Sequence, residues 1–268
     1  MMVYPENSRQ VIFNNNEDPN YNDERTLEDA EITVADAAYT GEVLTPEIQV
    51  TYRGETLGTG DYTWSAEEPL RNADTYKLTF TGTGSYGGTA EAYFTIHPAP
   101  LQSASLSSQT LTWTGKNRTP KVTEVTGCAA DGLLTKNVDF LVTAPSPRSA
   151  VGIYRITVMG LGNYNGTKTP AFKIIPAAPV ISRTAAKSGA VVLTMQDAPA
   201  GTGGAKYRIK YRQAGTNTWK ELTTGLQTKK ITGLKSGKSY YFKVRSEKTV
   251  DGRTFVGHWT KAVSVTTK

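Results

Sequence analysis

The chain has a single cysteine, Cys128, in 268 residues, so no internal disulfide can form, and that thiol reads as a small buried hydrophobe. The absence of disulfides is usual in reducing compartments but does not exclude secretion. Two histidines, His97 and His258, stand at no spacing with Cys128 that suits zinc. Nothing around CAADG (128–132) suggests a Cys–His nucleophile, and no Gly-x-Ser-x-Gly elbow occurs. Acid pairs such as Glu67-Glu68 fall in expected loops, without the facing carboxylates of a glycoside-cleaving cleft. No apolar run approaches the length of a membrane-spanning helix. Residues 1–30 lack the apolar core and small-residue cleavage site of a secretory signal. They read as an acidic, flexible leader, without the ordered ligand spacing of a calcium loop. Either the protein is made without a signal, or this chain is an internal part of something larger.

What is abundant is turn and strand material: 25 Gly, 14 Tyr and many Thr, with 38% hydrophobic residues. Charge is divided unevenly. Residues 1–175 carry 13 Lys and Arg against 20 Asp and Glu, whereas residues 176–268 carry 17 against 4. A strongly basic end identifies the part of the chain where an acidic partner is expected.

The sequence repeats itself. GTGSYGGTAEAYFTI (82–96) and GLGNYNGTKTPAFKI (160–174) share their glycines, a central tyrosine and the closing Phe-x-Ile. Upstream, Tyr39-Thr-Gly41 matches Trp113-Thr-Gly115, Thr45-Pro46 matches Thr119-Pro120, and Asp61-Tyr62 matches Asp139-Phe140. Tyr76-Lys-Leu-Thr-Phe80 then matches Tyr154-Arg-Ile-Thr-Val158. The offset grows from 74 to 78, placing four extra residues within 126–138 of the second copy. These are two copies of one domain. Tyr76, Leu78 and Phe80 alternate with polar residues, as do Ala92, Phe94 and Ile96, so each glycine-rich phrase is the bend between two strands. Tyr86 and Tyr164 are expected to fold back and lid the cores. SAEEPLRNAD (65–74) has room for one helical turn. Gly82-x-Gly84-x-x-Gly87 has the spacing of a nucleotide-binding turn, but that turn leads into a helix and this one leads into a strand.

The repeats resemble the Ig-like β modules found in tandem in cell-surface proteins of Gram-positive bacteria. After IIPAAPVI (174–181) the pattern changes, and Leu234…Gly237…Tyr240-x-Phe242-x-Val244 resembles fibronectin type III modules of Firmicutes surface proteins. That resemblance implies a tyrosine corner at Tyr240; Met195 stands where strand B usually carries Trp. The expected fold is therefore all-β: three tandem β-sandwich domains forming an elongated rod, with the leader at 1–30, Ig-like repeats at 31–98 and 99–176, and the fibronectin module at 177–268. Short Pro-Ala linkers, HPAPL (97–101) and IIPAAP (174–179), are expected to be stiff.

In KYRIKYR (206–212), Arg208, Lys210 and Arg212 share the face opposite Tyr207, Ile209 and Tyr211. In SYYFKVRSE (239–247), Tyr241, Lys243 and Arg245 face away from Tyr240, Phe242 and Val244. The resemblance makes these strands antiparallel neighbours, so the six residues form one basic face, bordered by Trp219 and Lys220. Like charges opposed across strands are destabilising, and the sequence shows no acids attending them. Either this is a solvated face that discourages edge aggregation, or it binds an anionic polymer such as a teichoic acid or charged glycan. Nucleic acid is not expected, since no specific motif for it occurs. The expected role is a non-catalytic, monomeric stalk and binding region of an extracellular or cell-surface protein, without a cofactor, its partner an anionic polysaccharide, a cell-wall polymer or a host or cell-surface protein. The alternatives are accessory modules of a secreted polysaccharide or cell-wall hydrolase, and a phage tail protein.

Overall fold

The computed structural model describes residues 25–196 and 205–268. The protein is all-β: its many short sheets pack as sandwiches, and the only helical elements among the described residues are two three-residue 3-10 turns, Leu27–Asp29 and Ala129–Asp131. The helical turn for which 65–74 has room does not form; Ser65 and Ala66 end a strand, and 67–74 are bends and a turn in which Leu70 is buried and Arg71 Nε donates to the Gly41 carbonyl at 3.1 Å. The chain divides into two compact units between His97 and Pro98.

In the first unit, Tyr62–Ala66, Thr75–Gly82, Thr89–His97 and Ala37–Ala38 form one sheet, and Glu31–Ala35, Glu47–Tyr52 and Glu55–Thr56 form the other. Alternation sets which side chains enter the core. Tyr76 pairs with Phe94 and Leu78 with Ala92 across the central hairpin, and Leu78, Phe80, Phe94 and Ile96 are all but inaccessible to solvent. Burial of each of these large side chains stabilises the fold by about 1.5–3 kcal/mol.

The shared motifs interlock. The glycine-rich bend is closed by Gly82 N–H donating to the Gly88 carbonyl, and in the second repeat by Gly160 N–H donating to Gly166. The aspartate of each Asp-Tyr or Asp-Phe pair holds the bend from outside. Its carbonyl accepts from Thr83 or Leu161 N–H at 2.9 Å. Its carboxylate accepts from Gly58 N–H at 2.8 Å or Thr135 N–H at 2.7 Å. Gly82 and Gly160 are glycines for want of space: a Cβ on Gly82 would lie 2.6 Å from the Tyr86 and Gly87 carbonyl oxygens, and one on Gly160 would lie 2.8 Å from backbone atoms of Tyr164 and Asn165.

Both tyrosine rings of the bends are buried, Tyr86 against the edge of Tyr52 with ring centroids 5.5 Å apart. Each bend also receives a short parallel strand from the start of its repeat: Arg25–Thr26 on Tyr86–Gly87, and Ala99–Pro100 on Tyr164–Asn165. Leu27 and Leu101 follow these strands into the cores. Arg25–Leu27 are therefore already part of the first repeat, ahead of the boundary expected at 31. Within the expected leader, residues 1–24 lie outside the described residues, and 25–30 are a structural part of the domain.

The second unit holds the second repeat and the C-terminal module. The four extra residues of the second repeat surround the Ala129–Asp131 turn, which brings new partners to the lid: Tyr164 hydroxyl donates to Asp131 Oδ2 at 2.5 Å and lies 3.0 Å from Cys128 Sγ. Cys128 is thus half-buried and polar-bonded, not a plain core hydrophobe. A Cβ on Gly127 would lie 1.9 Å from the Tyr164 ring, so only glycine fits beneath it. Burial, the bond to Asp131 and the contact with Cys128, in that order, push the Tyr164 phenol well above the ordinary tyrosine range. The long hairpin strands of the first repeat are interrupted in the second. Pro170, at the position of Ala92, offers no N–H to the ladder; Ile156 N–H still donates to its carbonyl at 3.0 Å, but Gly152–Arg155 and Thr157–Gly160 join separate sheets.

In the C-terminal module, Val180–Lys187, Ala190–Gln196 and Thr228–Thr232 form one sheet. Lys220–Thr224, Lys206–Gln213, Ser239–Val250 and Arg253–Val256 form the other, with Val263–Thr266 also on Ser239–Val250. Val191, Leu193, Met195 and Ile231 from the first meet Tyr207, Ile209, Phe242 and Val244 from the second in one core. Lys235 N–H donates to the Tyr240 hydroxyl at 2.9 Å, the bond expected of a tyrosine corner. Comparable clips occur in the repeats, where the Tyr76 and Tyr154 hydroxyls each donate at 3.0 Å to a carbonyl four residues back. The linker after Ile175 lies against this module: a Cβ on Gly257 would come within 2.5 Å of the Pro176 carbonyl oxygen.

Two outcomes test this account. Gly82→Ala should destabilise the first unit by about 1–3 kcal/mol in denaturant unfolding. Gly87→Ala, with nothing near its Cβ position, should change stability by less than about 0.5 kcal/mol. Equal effects of the two would contradict the close-approach argument. The Tyr164 phenol, raised in the folded state, contributes stability in full below the ordinary tyrosine pKa of about 10 and loses it as pH climbs toward the folded value. Melting temperatures measured from neutral to strongly alkaline pH should therefore decline less steeply for Tyr164→Phe than for the parent protein.

Candidate anion-binding face

The six residues expected to form a basic face do lie together. Lys206–Gln213 and Ser239–Val250 pair antiparallel, with Arg208 opposite Arg245, Lys210 opposite Lys243 and Arg212 opposite Tyr241. Alternation turns Tyr207, Ile209, Phe242 and Val244 into the core and these six outward.

Two features alter the picture drawn from sequence. The first is aromatic. Trp219 precedes the Lys220–Thr224 strand, and Trp259 follows the bend at Gly257; both enter the face. Lys210 Nζ sits 5.0 Å from the Trp219 ring centroid and 4.3 Å from that of Trp259. Arg245 stacks on Trp259 at 4.6 Å, and Arg212 lies 5.2 Å from both Trp219 and Tyr241. The order Arg245, Trp259, Lys210, Trp219, Arg212, Tyr241 is an alternating stack of cations and rings across the sheet. Each contact contributes roughly 0.5–1 kcal/mol at an exposed site, which offsets the repulsion of like charges on neighbouring strands. Trp219 was recognisable as a border residue; Trp259 was not, because only folding brings it beside Lys210.

The second feature is acidic, and it corrects the expectation that the cations lack acids nearby. Glu247 is buried in the same row, two residues beyond Arg245. Its carboxylate lies 2.8 Å from Arg208 Nε and 3.1 Å from Arg245 Nη2. The first contact is ionic and lacks hydrogen-bond alignment; Arg208 Nη2 donates to the other carboxylate oxygen at 3.3 Å. Glu221 approaches Arg208 at 3.5 Å. Parity along SYYFKVRSE already put Glu247 outward, so this partner was readable from the sequence. The face thus has two parts. Arg208 and Arg245 are tied to a buried carboxylate, whereas Lys210, Arg212 and Lys243 are arranged around the indoles.

Among the described residues, no helix is long and apolar enough to cross a membrane, and no group of three or more His, Cys, Asp and Glu is placed to hold a metal.

No family model matches the chain, and no curated protein matches it. Among solved structures it is similar to one described as a myokine structure, at 14% identity and a TM-score of 0.30, covering 34% of this chain and 97% of that one. A likeness of that degree leaves function to be read from the face itself.

Removal of the central carboxylate should be felt. Glu247→Gln leaves two arginines without their shared anion and should lower the unfolding free energy by about 1–3 kcal/mol, read by thermal or urea denaturation. Glu221→Gln, at a pair exposed to solvent, should cost less than about 1 kcal/mol.

Proposed function

We propose that this chain is a non-catalytic spacing and binding region of a bacterial cell-surface or secreted protein, in which the C-terminal module binds acidic glycans or cell-wall polymers. The observation that carries the proposal is the ordered row of cations on an open sheet face. Strand spacing of about 4.8 Å sets Lys210 and Lys243 side by side, a repeat on the scale of neighbouring charges along a polyanion. Supporting the wider reading are the two homologous repeats joined through proline-containing linkers, and in the C-terminal module the three-strand and five-strand sheets with the Tyr240 clip. These features support an assignment to Ig-like and fibronectin type III modules.

A polyanion would contact Lys210, Arg212 and Lys243 first, because Arg208 and Arg245 are engaged with Glu247. The aromatic rings hold the cations in place and offer apolar edges to sugar rings. Attraction of this kind is screened by salt over a Debye length of about 10 Å at 0.1 M.

Binding to immobilised lipoteichoic acid or polygalacturonate should weaken steadily as sodium chloride rises. Lys210→Ser with Lys243→Ser should reduce affinity about tenfold at low salt and flatten the salt dependence, with the melting temperature close to the parent's. A double variant that elutes from both columns at the parent's salt concentration would falsify the proposal.

A further inference from the structure

At the end of the Lys206–Gln213 strand, a pocket of about 310 Å³ opens between the segment leading to Lys220 and the Gly233–Lys235 turn. Its volume falls at the small end of ligand sites and suits one sugar ring. Its floor is apolar and fixed: Tyr211 stacks on Phe242 with ring centroids 5.9 Å apart, and Leu234 and Tyr240 are buried. Its walls carry Arg212, Lys220 and Lys235, together with the hydroxyl of Thr218, and no acidic residue lines it. That contrasts with the neighbouring row, where carboxylates attend the arginines.

Two details mark the pocket as built. The Lys235 N–H bond to the Tyr240 hydroxyl anchors the Gly233–Lys235 wall to the core. Arg212 donates through Nη1 to the Thr216 carbonyl, which fixes its guanidinium at the rim, while its Nε is buried without a hydrogen-bond acceptor among the described residues. That Nε is shielded from the pocket, so an anionic oxygen there would be received by the accessible ends of the three cations, Arg212, Lys220 and Lys235.

We propose that this pocket is a binding site for a single sugar residue carrying a carboxylate or a phosphate, separate from the open face and bordering it at Arg212. The apolar floor receives the ring, the cations receive the acid group, and threonine and glutamine side chains at the rim receive hydroxyls. The site does not depend on polymer binding by the Lys210–Lys243 row.

The test is titration of the full chain with glucuronate, glucose 6-phosphate and neutral methyl glucoside, followed by amide NMR shifts. Saturable shifts at Thr216, Thr218, Gly233 and Lys235 are expected with at least one anionic sugar and not with methyl glucoside. The stronger of the two anions identifies the preferred acid group. Lys220→Gln with Lys235→Gln, both exposed positions, should weaken binding about tenfold, while Lys210→Ser with Lys243→Ser should leave it intact. The proposal is overturned if no anionic sugar shifts these amides, if methyl glucoside shifts them equally, or if binding survives the Lys220/Lys235 pair and is lost in the Lys210/Lys243 pair.

Discussion

One aspartate in each repeat holds the hairpin bend on which the domain closes. Asp61 and Asp139 take a bend amide onto their own carbonyl and a nearby loop amide onto their carboxylate. Without that double hold, a bend rich in glycine would be an entropic liability, because glycine loses more freedom on folding than any other residue. With it, the tyrosine at the bend is delivered to one place, over the end of the core. The short parallel strand that opens each repeat then has a fixed edge on which to pair. The apparent nucleotide motif at Gly82 is largely the imprint of this arrangement: Gly82 stands where carbonyls crowd and Gly84 where φ is positive, with Tyr86 following, whereas Gly87 meets neither constraint.

The two copies show how much variation the hold tolerates. Tyr86 meets Tyr52 edge-on, whereas Tyr164 meets an inserted 3-10 turn and exchanges an aromatic contact for a hydrogen bond with Asp131. Pro170 divides the second repeat's sheets, yet the Asp139 bonds and the Gly160–Gly166 closure persist. The clasp is the constant element, and sheet continuity is the variable one.

Period-two alternation made the strands and their inward faces legible, and the repeated motifs located both hairpins. Three features escaped for separate physical reasons. The Arg25–Thr26 strand is only two residues long, and its acidic surroundings masked Leu27, although Leu27 stands 74 residues before Leu101, the same offset that aligns Tyr39 with Trp113. The 65–74 stretch has room for one helical turn, but Leu70 is drawn inward and the backbone bends around it. In the basic face the strand partners and outward parity were readable, as was Glu247 by the same parity. Trp259 was not, since it comes from an irregular segment whose path is set by tertiary packing at Gly257.

Lysine is ordinarily a poor recognition residue because its long side chain must be immobilised, at a cost of up to about 2 kcal/mol. Lys210, lodged between two indoles, has already given up most of that motion when the domain folds. Under the proposed polyanion reading, an anion would meet a stationary charge, and selectivity for spacing along it would follow from that rigidity.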